Sequence, residues 1–197
     1  LTDSWWDEQI RQAVKVREDL GLLNGHEQNI CRLIHAEGDG LSGLIVDYYD
    51  RVAVIQTHSI GMMRSLETIV RSLKKATPTL EGVYYKSQKL LLKLGEKADS
   101  DGWIDGGQPE NWHPMEFGRR FLIDLEEGQK TGFFVDQREN RTLLQKMSKG
   151  KHVLNVFSYT GGFSVAALQG GAKEVHSLDS SKRALELAEE AVRLNGF

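Results

Sequence analysis

Between Val153 and Leu194 the chain switches hydrophobic period several times, and that alternation narrows the fold more than any other feature. Val153-Leu-Asn-Val156 is a short apolar run, a turn with the adjacent glycines Gly161-Gly162 follows, and Phe163-Ser-Val-Ala-Ala-Leu168 is helical in density before Gly170-Gly171. Lys173-Glu-Val-His-Ser-Leu178 is a second strand ending at Asp179. Ser180 or Ser181 caps the next helix, whose apolar side holds Ala184, Leu185, Leu187, Ala188, Ala191, Val192 and Leu194 before Asn195-Gly196. Strand, turn, helix, strand, acid, helix is a βαβα unit, and such units build parallel α/β sheets. Two strands do not make a stable doubly wound sheet, so most of this domain is expected beyond Phe197.

Upstream the pattern is different. Ser4 to Gly21 reads as a helix capped by Ser4, with Trp6, Ile10, Ala13, Val14 and Leu20 at helical spacing. Ile30–His35, Gly40–Tyr49 and Val52–His58 read as strands, the last two joined by a hairpin at Asp50-Arg51. A helix is expected from Met62 to Lys75, stopped by Pro78, then a strand at Val83-Tyr84-Tyr85. Gly95 to Pro114 is polar and rich in Gly and Pro, which marks it as a linker. Beyond it, Arg120–Leu125 is strand-like, and Asp136-Gln-Arg-Glu139 suits a capping box for a helix bearing Leu143, Leu144 and Met147. The division that follows is a linking helix (1–27), a small α+β central domain (28–112), and the first half of a Rossmann-like domain (113–197).

Composition excludes several classes. With 25 Lys+Arg against 28 Asp+Glu the net charge is −3, so no general polyanion-binding surface is expected. Cys31 is the only cysteine, which rules out an intramolecular disulfide and suits a reducing, cytoplasmic setting. No apolar run approaches the roughly 18 residues of a membrane span. The six histidines lack ligand spacing, so no metal site is expected. The chain opens on Leu1 and reads as a cytosolic piece of a longer protein.

In open α/β sheets, ligands bind at the carboxyl ends of the strands. Here that place holds Asn155-Val-Phe-Ser-Tyr-Thr-Gly-Gly162, with Asp179 ending the next strand. Glycines let the backbone bend tightly and a ligand approach closely, and a carboxylate at that strand end accepts both hydroxyls of a ribose. The bland alternative is a tight turn with a helix-capping acid. A dinucleotide would want Gly-x-Gly-x-x-Gly, which is absent, as is a P-loop. S-adenosylmethionine has the ribose and adenine without phosphate and tolerates bulk in the turn.

These residues carry a resemblance. Gln129-Lys-Thr-Gly-Phe-Phe-Val-Asp-Gln-Arg-Glu-Asn-Arg141, followed by Val153-Leu-Asn-Val-Phe-Ser-Tyr-Thr-Gly-Gly-Phe-Ser-Val165, resembles the ribosomal RNA cytosine-5 methyltransferases of the class I S-adenosylmethionine-dependent superfamily. Arg32-Leu-Ile-His-Ala-Glu-Gly-Asp-Gly-Leu-Ser-Gly-Leu-Ile-Val-Asp-Tyr48 is similar to that family's central domain. The resemblance implies a PUA domain, this central domain and a methyltransferase domain, frequent homodimers, and methylation of C5 of a cytosine in 23S rRNA. It implies cofactor binding by Asn155, Phe157, Ser158, Tyr159, Thr160, Gly161 and Gly162, where only the last glycine of the superfamily's acidic-x-Gly-x-Gly-x-Gly loop is kept. Asp179 then binds the ribose, Ser180 lies beside the adenine, and Gln137 and Arg138 face the methionine end. Without the resemblance, Arg138 and Arg141 read as a solvated helix face.

Two departures stand out. Leu41-Ser42-Gly43 replaces the family's Leu-Pro-Gly. More seriously, C5 of cytosine becomes nucleophilic only after a thiolate adds to C6. The family's cysteine and its Asp-Pro-Pro segment lie downstream of this region, and Cys31 reads as a small buried residue. No catalytic residue is therefore assigned here, and this stretch alone is expected to be inactive. Lys86, Lys89, Lys93 and Lys97 form a basic stretch that reads as a solvated face or a phosphate contact, and Trp103 and Trp112 read as packing or as base-stacking residues. A non-catalytic RNA-binding or dimerisation module with a vestigial cofactor fold is the competing class; a nicotinamide oxidoreductase is a third.

Overall fold

The structure is a computed structural model that describes residues 1–23, 25, 27–93, 95 and 100–197. Lys97 of the basic stretch and His26 lie outside the described residues. The chain divides into two compact units, 1–112 with 124–132, and 113–123 with 133–197. Segment 124–132, which the sequence division puts in the later domain, belongs to the first unit.

The first unit is a five-stranded sheet: β1 (Ile30–His35), β2 (Leu44–Tyr49), β3 (Val52–Thr57), β4 (Gly82–Tyr85) and β5 (Gly102–Gly106), in that spatial order. All pairs are antiparallel except β3 with β4, which a helical crossover joins. The hairpin forms at Asp50-Arg51, both with positive φ (40° and 69°), the backbone a two-residue turn between right-twisted strands requires. The crossover is α2 (Ile60–Arg64) and α3 (Leu66–Ala76), not one helix, because Ser65 breaks it at φ −97°, ψ 7°. The first helix, α1 (Asp3–Asp19), is capped by Thr2, whose hydroxyl accepts from the Trp5 amide, rather than by Ser4. Trp6, Ile10, Ala13 and Val14 of α1 share one core with Ile69, Leu73, Leu33, Val46 and Ile55. The segment read as a separate link is therefore part of this core.

The glycine-rich stretch read as a linker contains β5. Gly106 there serves close approach, since a Cβ on it would overlap the carbonyl oxygen of Glu81, and on the facing strand a Cβ on Gly82 would stand 2.7 Å from Cζ3 of Trp103. Composition alone does not separate a flexible linker from a glycine-dependent strand pair. Trp103 meets Tyr84 edge-on at 5.3 Å, and the Trp112 indole N–H donates to the Tyr49 carbonyl at 2.7 Å, so both tryptophans pack. Lys86 does not lie free on the surface; a short helix α4 (Gln88–Lys93) follows it, and its ammonium donates to the carbonyls of Leu125 (2.5 Å) and Gly128 (2.7 Å). Burial pushes its pKa down.

The second unit opens with a two-residue ladder, β6 (Met115–Glu116) with β7 (Arg119–Arg120). The strand expected over 120–125 is thus cut short. Phe121, Ile123 and Leu125 satisfy their alternation by burial alone, and Asp124 turns the chain by accepting from the amides of Glu126 and Glu127. The expected capping box is also absent. A single 3₁₀ turn, Val135–Gln137, leads into α5 (Arg138–Met147), and the Gln137 side chain accepts from Asn140 instead of capping. Then come β8 (His152–Val156), α6 (Gly162–Gln169), β9 (Glu174–Leu178) and α7 (Lys182–Leu194), with β8 and β9 parallel, so the βαβα unit forms as read. Ser181, not Ser180, caps α7 through the Ala184 amide. Val165, Ala166 and Ala167 of α6 and Ala184, Leu187, Ala188 and Ala191 of α7 are buried. Among the described residues no helix is long and apolar enough to cross a membrane, and no group of three or more His, Cys, Asp or Glu could hold a metal ion.

Asp47 anchors segment 124–132 to the first sheet. Its fully buried carboxylate accepts from Arg32 Nε (2.9 Å) and from the Thr131 hydroxyl (2.6 Å), while Thr131 also bonds the Tyr49 hydroxyl at 2.7 Å. Asp47→Ala removes the carboxylate that the Arg32 guanidinium and the Thr131 hydroxyl donate to. It is expected to lower the unfolding free energy by about 3–5 kcal/mol in urea titration. A loss below about 1 kcal/mol would show that the cluster is solvated and not buried.

Candidate functional site

The carboxyl end of β8 runs into a loop whose backbone alternates sides. Phe157, Tyr159 and Gly161 all have positive φ (59°, 48° and 76°), and only the last is a glycine. Left-handed backbone costs an ordinary residue about 1–2 kcal/mol, so two aromatic residues are held there by their surroundings. Four hydrogen bonds do the holding. The Ser158 amide donates to the Leu178 carbonyl (3.0 Å), the Gly161 amide to the Ser158 carbonyl (3.0 Å), and the Tyr159 amide to Asp179 Oδ2 (2.8 Å). Asp179 Oδ1 accepts from the Ser181 amide at 2.9 Å. The Tyr159 ring stands edge-on to Phe134 at 5.3 Å.

Gly161 is required twice over. Besides its φ, a Cβ there would lie 2.7 Å from Cβ of Ala188 on α7 and 3.0 Å from its Cα. At Gly162 the space is tight but less so, with Arg141 Cδ and the Phe133 ring each 3.3 Å from a built Cβ. Asn155 does not extend freely from its strand. It donates to the Ser164 hydroxyl (2.8 Å), which bonds the Ser177 hydroxyl (2.7 Å), tying β8, α6 and β9 into one polar thread.

Asp179 is held as an anion. The amides of Ser181 and then Tyr159 keep its carboxyl below the ordinary value of 3.8. Ser180 contributes a further backbone N–H, and a carboxylate with three such donors keeps acceptor capacity that a hydroxyl donor can meet. Ser158 and Thr160 are buried, yet their hydroxyls have no hydrogen-bond partner. Unsatisfied buried hydroxyls are rare and point to groups that a ligand completes. Phe157 is 88% exposed and Ser180 is exposed beside Asp179. Loop and acid thus come together as the sequence suggested, and Gln137 and Arg138 lie on the segment that reaches the loop through Phe134. Arg138 pairs with Glu139 at 3.2 Å, and Gln137 with Asn140 at 2.8 Å.

Sequence reasoning missed the other side of α5. Arg141, read as solvated, is buried, whereas Leu143 and Met147, named as apolar residues of this helix, are 57% and 65% exposed. Arg141 forms an ion pair with Glu116, itself fully buried and also paired with buried Arg119. The available signal was spacing: 141, 144 and 148 share a helix face, and hydrophobicity scoring passes over an arginine on such a face.

A parallel βαβα unit with a glycine loop and an acid at the second strand end defines a nucleoside-binding α/β fold of the class I methyltransferase type. A family model of S-adenosylmethionine-dependent methyltransferases matches residues 31–197, and the chain belongs to that family. It is 40% identical over 89% of its length to the Ribosomal RNA large subunit methyltransferase I of Alteromonas mediterranea, 44% of which it covers. The chain spans about half the length of the curated relatives it matches. Among solved structures, one assigned as a SAM-dependent methyltransferase from Streptococcus mutans superposes with TM-score 0.83, at 27% identity, over 99% of this chain and 50% of that one. A methyltransferase structure complexed with SAH superposes with TM-score 0.84, at 26% identity, over 99% of this chain and 49% of its own.

Two outcomes follow from this geometry. Gly161→Ala adds both a left-handed side chain and a clash with α7, and should cost about 2–4 kcal/mol in denaturant unfolding, strain and overpacking together. The hydrogen bonds to Asp179 stabilise the fold at pH above the carboxyl's unfolded value and are lost as pH falls through its lower folded value. The difference in unfolding midpoint between wild type and Asp179→Asn should therefore stay constant from about pH 5 to 8 and shrink only below about pH 4. A difference that varied across the neutral range would assign the titration to another group.

Proposed function

We propose that the intact protein methylates large-subunit ribosomal RNA, and that the methyl acceptor is C5 of a cytosine in 23S rRNA. The observation that carries the cofactor half of this reading is the Asp179 carboxylate, fixed by the backbone N–H groups of Tyr159, Ser180 and Ser181 beside a loop with unsatisfied buried hydroxyls. The family and the SAH-bound neighbour support it. The RNA half is supported by the names of the relatives, and the cytosine by the resemblance of segments 129–141 and 153–165 to the cytosine-5 enzymes.

On this reading, residues 28–112 form the central domain and 113–197 carry the cofactor site. S-adenosylmethionine supplies an electrophilic methyl group on a sulfonium. The protein's part is to hold it: Asp179 accepts the ribose hydroxyls, Ser180 borders the adenine, and Ser158, Thr160, Gly161 and Gly162 line the turn with Asn155, Phe157 and Tyr159. Arg138 and Gln137 take the carboxylate of the methionine end, a charge-assisted contact. Cys31 does not serve as the nucleophile, because it is fully buried within β1 of the first unit. The thiolate that C5 chemistry demands comes from outside this stretch, and residues 1–197 alone transfer no methyl group. Homodimerisation and a cytoplasmic site of action accompany this reading. The alternative, a non-catalytic module with a vestigial cofactor fold, is not favoured: the relatives carry the names of enzymes and a neighbour holds SAH.

The test is direct. In the intact protein, Asp179→Ala should weaken S-adenosylmethionine binding by about 1–3 kcal/mol in calorimetry, the size of a lost acceptor for buried hydroxyls. Cys31→Ser should leave transfer of labelled methyl to 23S rRNA within about twofold of wild type, since on this reading the buried Cys31 makes no transition-state contact to lose. Loss of transfer by a folded Cys31→Ser protein, or mapping of the label away from cytosine C5, would overturn the assignment.

A further inference from the structure

We infer that Arg141, pinned by Glu116, is the positioning residue for the methionine end of the cofactor site. The inference rests on the reading of the 155–162 loop and Asp179 as that site, and it concerns two residues the reading leaves out.

Arg141 touches four groups at once. Its Nε and Nη2 donate to the two oxygens of Glu116, at 2.7 and 2.5 Å. Its Nη1 donates to the carbonyl of Phe134 at 2.9 Å. Its guanidinium lies over the Phe133 ring, 4.5 Å from the centroid, and its Cδ packs under Gly162 at the start of α6. Phe134 in turn meets Tyr159 of the loop. One rigid, planar group therefore ties the entry of segment 133–137 to the glycine turn, and Gln137 and Arg138 follow three and four residues after the bonded carbonyl.

Stability does not account for this arrangement. Two arginines share one carboxylate here, all three side chains no more than 2% exposed. Desolvation of such a cluster costs about as much as its attraction returns, and apolar replacements of buried ion pairs are often neutral or better. A guanidinium fork adds direction, since its N–H groups leave in fixed orientations that an ammonium cannot copy. Arg119 completes the frame by bonding Glu116 Oε1 (3.2 Å) and the Gln145 side chain (3.1 Å), which leaves Glu116 little freedom to move with its partner. The direction delivered is that of the Phe134 carbonyl, and hence of the residues that face the amino-acid part of the cofactor.

The test uses two ligands of the intact protein. S-adenosylhomocysteine carries the amino-acid end; methylthioadenosine carries the nucleoside alone. Arg141→Lys should weaken S-adenosylhomocysteine by about tenfold or more, the order for a lost charge-assisted hydrogen bond, and leave methylthioadenosine within about twofold. Equal weakening of both would mark Arg141 as a structural prop and overturn the proposal, and so would no weakening of either. Should Arg141→Lys fail to unfold cooperatively, Glu116→Gln keeps the shape and removes the pinning charge, and the same selective loss is expected at a few-fold size; an equal loss overturns the proposal as well. If the wild type bound neither ligand, the cofactor reading would fall first, and this inference with it.

Discussion

The closeness of Gly161 to Ala188 governs the loop that follows β8. With no atom to spare between the loop backbone and α7, the chain leaves β8 by a path of alternating left-handed residues. The superfamily resemblance places glycines at 157 and 159; this chain has phenylalanine and tyrosine and retains the same backbone sign. The strain is offset locally, by the Tyr159 amide on Asp179 and the Tyr159 ring against Phe134. Strained non-glycine residues persist where surroundings over-determine them, and such places are commonly functional.

Two carboxylates organise the second unit in opposite ways. Asp179 sits at a strand end with backbone donors on each oxygen, stays charged, and has acceptor capacity left over. Glu116 is fully buried, and its oxygens accept three N–H groups from two arginines. The first fixes a loop at the surface of the sheet end; the second fixes two buried arginines. Their difference is one of satisfaction rather than of residue type, which is why both look alike in a composition count.

The first unit shows the same logic in a different place. Segment 124–132 has no regular structure, yet Lys86 takes two of its carbonyls and Thr131 closes on Asp47 and Tyr49. Cations and hydroxyls that read as surface features are used to fasten a strap to the sheet. The Gln129-Lys130-Thr131 stretch quoted for the family resemblance is thus partly accounted for by fastening: Thr131 bonds the sheet, and the Lys130 carbonyl accepts from Gln56 at 3.3 Å.

What the sequence by itself determined is whatever depends on periodicity and on neighbours close in the chain. The βαβα order, the Asp50-Arg51 hairpin, the strands at 30–35 and 83–85, and the pairing of a glycine loop with Asp179 all rest on local spacing, and the structure contains them. Tertiary structure alone decided which face of α5 is buried, because Arg141 goes inside only when Glu116, 25 residues earlier, is there to neutralise it. It also decided that Gly106 belongs to a strand, since its reason is the backbone of Glu81 and not its own flexibility. Ser181 rather than Ser180 caps α7 because only Ser181 has its hydroxyl at the Ala184 amide once Asp179 has turned the chain. Local patterns encode backbone preference and apolar faces; a buried charge or a close backbone approach takes its energy from a partner that no window of sequence contains.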